Sequence, residues 1–184
     1  VRLAAAPPGD GTMSPRADGA VVVAQDGARR VSHCFPLTLD AAHPEVRGVD
    51  GVVQQYRAVL PALLLQGPTV LSQVLARAAR FTEKHQQRAA ACDAGQRFCV
   101  LLVVTDGIIN DWQDTVDQVV AASYLPLAVV IVGLGDTDFE QMDALVGADG
   151  PLLSSRGEPV DQPIVTFVPY AAAASAAASD SQWL

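Results

Sequence analysis

Basic residues are scarce in this chain: Lys and Arg total 12 against 20 Asp and Glu, a formal charge of −8 with a pI near 4.6. A surface of that sign repels phosphate, which excludes nucleic acid and anionic membrane as the main partner. Long apolar runs are missing too. The longest clean one is seven residues, Phe98–Val104, far short of the roughly 18 that cross a bilayer. Cysteine is limited to Cys34, Cys92 and Cys99, with no CxxC and no Cys/His cluster, which excludes a zinc site. Unpaired thiols predict a reducing compartment, hence the cytoplasm. The opening stretch has no apolar segment of the signal-peptide kind, and it starts at Val1 instead of Met, which predicts a piece of a longer polypeptide.

What is present is half hydrophobic: 50% over 184 residues, enough for one substantial core. Residues 1–19 are Ala/Pro/Gly-rich and expected to be irregular. Ala20–Ala24 (AVVVA) reads as a short strand, and Val31–Leu39 as a strand or extended piece that Pro36 keeps at an edge. Val49, Val52, Val53, Tyr56, Val59 and Leu60 recur at helical spacing, and Pro61 stops that helix. Leu63–Leu65 is a short buried strand and Gly67-Pro68-Thr69 a tight loop. A second helix then starts at Thr69, with Val70, Leu71, Val74, Leu75, Ala78 and Phe81 inward, and runs into a solvated stretch, Glu83–Gly95.

Phe98–Val104 is rich in β-branched residues without a polar break, as in a parallel strand buried on both faces. It ends at Thr105-Asp106-Gly107. Asn110 or Asp111 caps a third helix with the stripe Trp112, Val116, Val119, Val120 and Tyr124. Pro126–Val132 is a second doubly buried strand, Asp138–Leu145 a short helix ended by Gly147–Gly150, and Ile164–Val168 a last extended piece, with Leu152-Leu153 an edge strand. The Ala-rich residues 171–184 read as a tail. Strands alternating with helices predict an α/β fold, doubly wound, with a mostly parallel sheet and helices on both faces.

A carboxylate released at the carboxyl end of a central strand stands where open α/β sheets hold their ligands. Asp106 and Thr69, on loops expected at the same sheet edge, are hard oxygen donors suited to Mg2+, Mn2+ or Ca2+. Two donors are too few for such an ion, and turn or helix capping accounts for both residues as well. Gly133-Leu134-Gly135-Asp136 is half of a dinucleotide fingerprint without its third glycine, and reads as a strand-end turn. Asp136, Asp138 and Glu140 lack the spacing of a calcium loop and suit a helix N-terminus. His33, His43 and His85 are scattered, and adjacent His33 and Cys34 point to opposite faces of a strand. No nucleophile is paired with a base, so no enzyme is expected. Trp112 reads as a packing residue and Trp183 as part of the tail.

The segments VSHCF, GVDGVVQQYRAVLP, LQGPT, the stretch from VLLVVTDGIINDW through ASYLP to IVGLGDTDFEQMDAL, and GEPVDQPIVTFVPY occur in that order. Over Val31–Tyr170 they resemble the von Willebrand A-type domain of copines, a Rossmann-like fold. The resemblance implies a partial A-type domain at 20–170, between the irregular segment at 1–19 and the Ala-rich tail at 171–184 that composition marks out. It also implies a protein-interaction module with a metal-ion-dependent adhesion site, where a partner's acidic side chain completes the coordination of the ion. Thr69 and Asp106 would fill the second and third parts of that site, and Gly67 and Gly107 would let the loops approach.

The first part, a D-x-S-x-S motif after the first strand, is absent from this sequence, so the site is incomplete and the fold is expected to be incomplete at the N-terminus. The missing strand would lie beside Phe98–Val104, leaving that strand's edge unpaired. The calcium-dependent phospholipid binding of copines belongs to domains not in this chain, so membrane association is expected only through them. Two alternatives stand beside the adhesion module. One is a metal-free structural subunit of a larger assembly, using the open edge and the tail. The other is a substrate-binding domain of the copine-like ubiquitin ligases, a more distant match without their RING cysteines here.

Overall fold

The computed structural model describes residues 20–23, 29–63, 68–91, 95, 97–148 and 150–180. The irregular segment expected at 1–19, Leu64 and Leu65 of the expected short strand, Gly67, Cys92 and Trp183 lie outside them. Two compact units divide at Thr69 and Val70.

In the unit from Val70 onward, α2 (Ser72–Ala91), β3 (Cys99–Thr105), α3 (Trp112–Ala122), β4 (Leu127–Gly133), α4 (Glu140–Val146), β5 (Val165–Pro169) and α5 (Tyr170–Asp180) follow in order. The sheet runs β3-β4-β5 and both pairings are parallel, with Val103 opposite Ile131 and Ile131 opposite Phe167. The α/β alternation read from the sequence is therefore the observed fold. Helix α2 starts later than Thr69 and continues to Ala91, through much of the expected solvated stretch. Ala, Gln, Arg and Lys there are all good helix formers, so polarity marks an exposed helix face and not a break. Gly147, in the left-handed region at φ +88°, ends α4, and Ala148 donates to the Asp143 carbonyl behind it.

The core lies on one side of the sheet. Val103, Leu127, Val129, Ile131 and Val165 pack against Leu71 just before α2, Leu75 within it, Val116, Val119 and Val120 of α3, and Met142 and Leu145 of α4. Register places Val100, Leu102 and Val104 on the other side with Ala128, Val130 and Val132. That side is open: Phe98 is 67% exposed, Val100 64% and Leu102 61%, while Ala128, Val130 and Val132 are half-buried. The expectation of two doubly buried strands is corrected here. An unbroken apolar run shows that both faces avoid water, but the described helices of this core cover only one of them. Phe81 and Tyr124, expected inward, are also exposed, and Phe81 stacks on His85 at 4.2 Å between ring centres.

In the unit up to Thr69, β1 (Ala20–Val23) pairs antiparallel with β2 (Arg29–Ser32), Ala20 opposite Ser32. The expected extended segment from Val31 thus ends as a strand at Ser32. Helix α1 (Gly48–Val59) passes into a 3-10 turn at Leu60–Ala62, where Pro61 has no amide to continue the α pattern. A small core forms from Val59, Leu63, Phe35, Leu37, Leu39 and Leu60. The rest of the α1 stripe, Val49, Val52, Val53 and Tyr56, is exposed.

Candidate functional site

Three strand ends converge at the carboxyl edge of the parallel sheet. After β3, Thr105 turns back so that its hydroxyl oxygen accepts from the Gly107 amide at 3.4 Å. Asp106 is exposed there, and its carbonyl accepts from the Thr137 hydroxyl at 3.2 Å. The loop after β4 thus reaches over to the loop after β3. Leu134 N–H donates to the Thr105 carbonyl at 2.7 Å, tying the same two loops at their roots.

The remainder of the Asp106–Asp111 loop is clamped from two sides. The Gln141 side chain on α4 works as a double splint: its carbonyl oxygen accepts from Ile109 N–H at 2.8 Å and its amide donates to the Ile109 carbonyl at 3.3 Å. Ile109 is buried beneath it. Asp111 stands at the start of α3, as the sequence suggested, but makes no side-chain cap there. Its carboxylate reaches the N-terminus of α2, accepting from Leu71 N–H and Ser72 N–H at 2.9 Å each. An anion at that position meets otherwise unsatisfied amides and the positive end of the helix dipole. Burial by itself pushes the Asp111 pKa up, but the Ser72 hydroxyl and the amides of Leu71 and Ser72 outweigh it, and the carboxyl ends below its ordinary 3.8.

Asp106 lies in the unit from Val70 onward and Thr69 is the last residue of the other; in sequence Thr69 stands two places before Leu71. With Asp111 committed to helix α2, Asp106 is the acidic side chain of its own loop left facing water. Among the described residues no three His, Cys, Asp or Glu side chains come together as a cation site. Asp138 accepts from the Glu140 amide at 3.0 Å, a local helix-start contact that suits its reading as part of a helix N-terminus. Gly133 has a packing role: a Cβ there would meet the Phe139 ring at 2.7 Å and the Phe167 ring at 2.9 Å. The two rings lie 5.0 Å apart. The glycine pattern thus serves the strand end, with Gly135 at φ +89°.

Sequence reasoning missed the Gln141 splint and the reach of Asp111. Nothing in a lone glutamine within EQMDALV signals a loop clamp. Asp111 did carry a signal, since a helix-capping type was noticed, but its target was a helix 39 residues away in sequence.

Two features at the opposite end fit the ASYLP segment. Ser123 is wholly buried and fully used, donating to the Val120 carbonyl at 2.7 Å and accepting from the Asp161 amide at 3.0 Å. Its own carbonyl takes the Gln162 side chain at 2.9 Å. These contacts join the end of α3 to the segment leading into β5. The described cysteines, Cys34 and Cys99, are free thiols, and no described helix is long and apolar enough to cross a membrane.

The copine family model matches residues 19–183. That span includes all five strands of the described residues, the loop bearing Asp106 and the segment joining α3 to β5. The chain belongs to the copine family.

Proposed function

We propose that the chain is a protein-interaction module of the copine A-domain type, acting by binding and not by catalysis. The observation that carries this reading is the family match together with the exposed Asp106, released at the carboxyl end of β3 on a loop held still by Gln141, Thr137 and Asp111. A rigid loop that presents a carboxylate suits recognition, because little ordering cost remains to be met on binding. The family resemblance assigns Asp106 in one unit and Thr69 in the other as oxygen donors for Mg2+, Mn2+ or Ca2+, a donor set that is incomplete in this chain. The partner is a protein, engaging this edge through an acidic side chain when an ion is held there, and the setting is the cytoplasm.

Calorimetric titration with Mg2+ and Mn2+ tests the incomplete site. The chain and its Asp106→Ala variant should both bind no tighter than about millimolar, the range of poorly furnished sites. Micromolar binding that disappears in Asp106→Ala would show a complete site and contradict that part. Partners recovered by affinity purification should be lost from an Asp106→Arg variant. An unchanged partner set would remove this edge from the interaction.

A second reading, a structural subunit of a larger assembly, is favoured by the open face of the sheet and by β3 standing at its edge among the described strands.

A further inference from the structure

We infer that the chain forms a symmetric homodimer through the outer surface of its helical layer, with the basic stripe of α2 in one copy seated on the acidic flank around α4 in the other. This goes beyond the interaction-module reading and uses neither Asp106 nor the open face of the sheet.

Charge is segregated on this layer. Arg77, Arg80, Lys84 and Arg88 lie three, four and four residues apart on α2, which lines them up on one face. All four are exposed, while Leu75, Thr82 and Ala89, buried and seven residues apart, mark the opposite face. The helix holds one acid, Glu83, against these four cations, so a chain of net −8 carries a strip of +3. On the α4 flank the sign reverses. Asp136, Asp138, Glu140 and Asp143 are all exposed, and between Leu134 and Pro163 seven Asp and Glu stand against Arg156 alone. Among the described residues none of the four α2 cations is in an ion pair.

The three helices run the same way, which fixes how two such layers meet. Helices α3 and α4 each lead from the carboxyl end of one parallel strand to the amino end of the next. Helix α2 does likewise. The amides at its start meet Asp111 beyond the end of β3, and Gln86 near its far end donates to the Arg97 carbonyl just before β3. It lies beside α3, with α4 beside β5 on the other flank. A two-fold axis along the helices turns one layer onto another and keeps that common direction. It sets α2 over the mate's α4 and α4 over the mate's α2, so each copy gives and receives the same contact and the assembly closes at two. An axis across the helices would set α2 on α2, cation against cation.

Area and charge set the strength. Helix α2 is 20 residues long. With neighbouring helices about 10 Å apart the layer offers roughly 30 Å by 25 Å, near the 800 Å² or so that each side of a standard interface gives. Its polar make-up suits a reversible dimer and not an obligate one. The net charge of −8 on each copy opposes approach, but salt screens it beyond about 8 Å while pairs in contact persist. A foreign acidic helix would satisfy α2 and leave the α4 flank unmatched. A second copy satisfies both.

Sedimentation equilibrium of the full chain tests this. A dimer should be present at about 0.15 M salt and dissociate at about 1 M, where the Debye length falls to about 3 Å. That arm needs no substitution. The double variant Arg80→Glu/Lys84→Glu should weaken dimerisation at least about tenfold, and Glu140→Lys/Asp143→Lys should do the same. Each of the latter replacements adds two charges, so that variant stands at −4, and a general relief of repulsion would strengthen its association instead. Mixing the two variants should restore the dimer, because every reversed surface then meets its complement. The inference is overturned if the chain stays monomeric, if the dimer withstands high salt or either reversal, or if the mixture does not associate. A monomer that binds poly-glutamate or anionic vesicles through Arg80 and Lys84 would likewise overturn it and give the stripe to a foreign partner.

Discussion

The two faces of the β3–β4–β5 sheet are built from nearly the same residue types, yet one is sealed and the other wet. On the sealed face Ile131 is 0% exposed beneath α3 and α4; on the open face Leu102 is 61% exposed. Residue type therefore does not decide burial in this sheet. The helix that lands on a face decides it, and crossover handedness decides where helices land.

The largest effect that tests this contrast is a pair of truncations. Ile131→Ala should cost about 3 kcal/mol, from lost burial and the cavity left behind, while Leu102→Ala should stay within about 0.5 kcal/mol. Urea unfolding of both variants measures the gap, and equal costs would mean that the open face is covered in solution. Next in size is Gly133→Ala, where the new methyl drives into the Phe139 and Phe167 rings. It should cost about 2 kcal/mol, as overpacking of a closed core does.

Asp111→Ala should cost about 1 kcal/mol through the loss of a cap on α2. This effect carries a pH signature. The folded-state pKa of Asp111 is depressed, so its stabilisation is present above the ordinary 3.8 and lost as pH falls through the lower folded value. The difference between parent and variant should therefore shrink in strong acid, and a constant difference would remove the charge from the cap. Smallest is Thr115→Val, on the sealed side. The Thr115 hydroxyl is wholly buried without a hydrogen-bond partner among the described residues, so its removal should be neutral or stabilise by up to about 1 kcal/mol. A loss above 1 kcal/mol in thermal melts would reveal a partner for that hydroxyl.

The alternation of strands and helices was legible because each element carries its own period: the stripe of Val116, Val119 and Val120, the runs at 98–104 and 126–132, and the glycine after α4. The open face was not, because Val100 and Leu102 look the same whether or not a helix lies over them. At the candidate site, Asp106 could be picked out from its place after an apolar run. The contacts that fix its loop could not, since Gln141 lies 32 residues from Ile109 and Asp111 lies 40 from Leu71, and pairings of that length are set by the whole fold.

Residue-resolved hydrogen exchange along β3 in the chain by itself tests the two-sided sheet most directly. Leu101 and Val103 amides, turned toward β4, should exchange only on global unfolding, while those of Val100, Leu102 and Val104 exchange freely. Uniform protection across all five would show that β3 is flanked on both sides and would contradict the account.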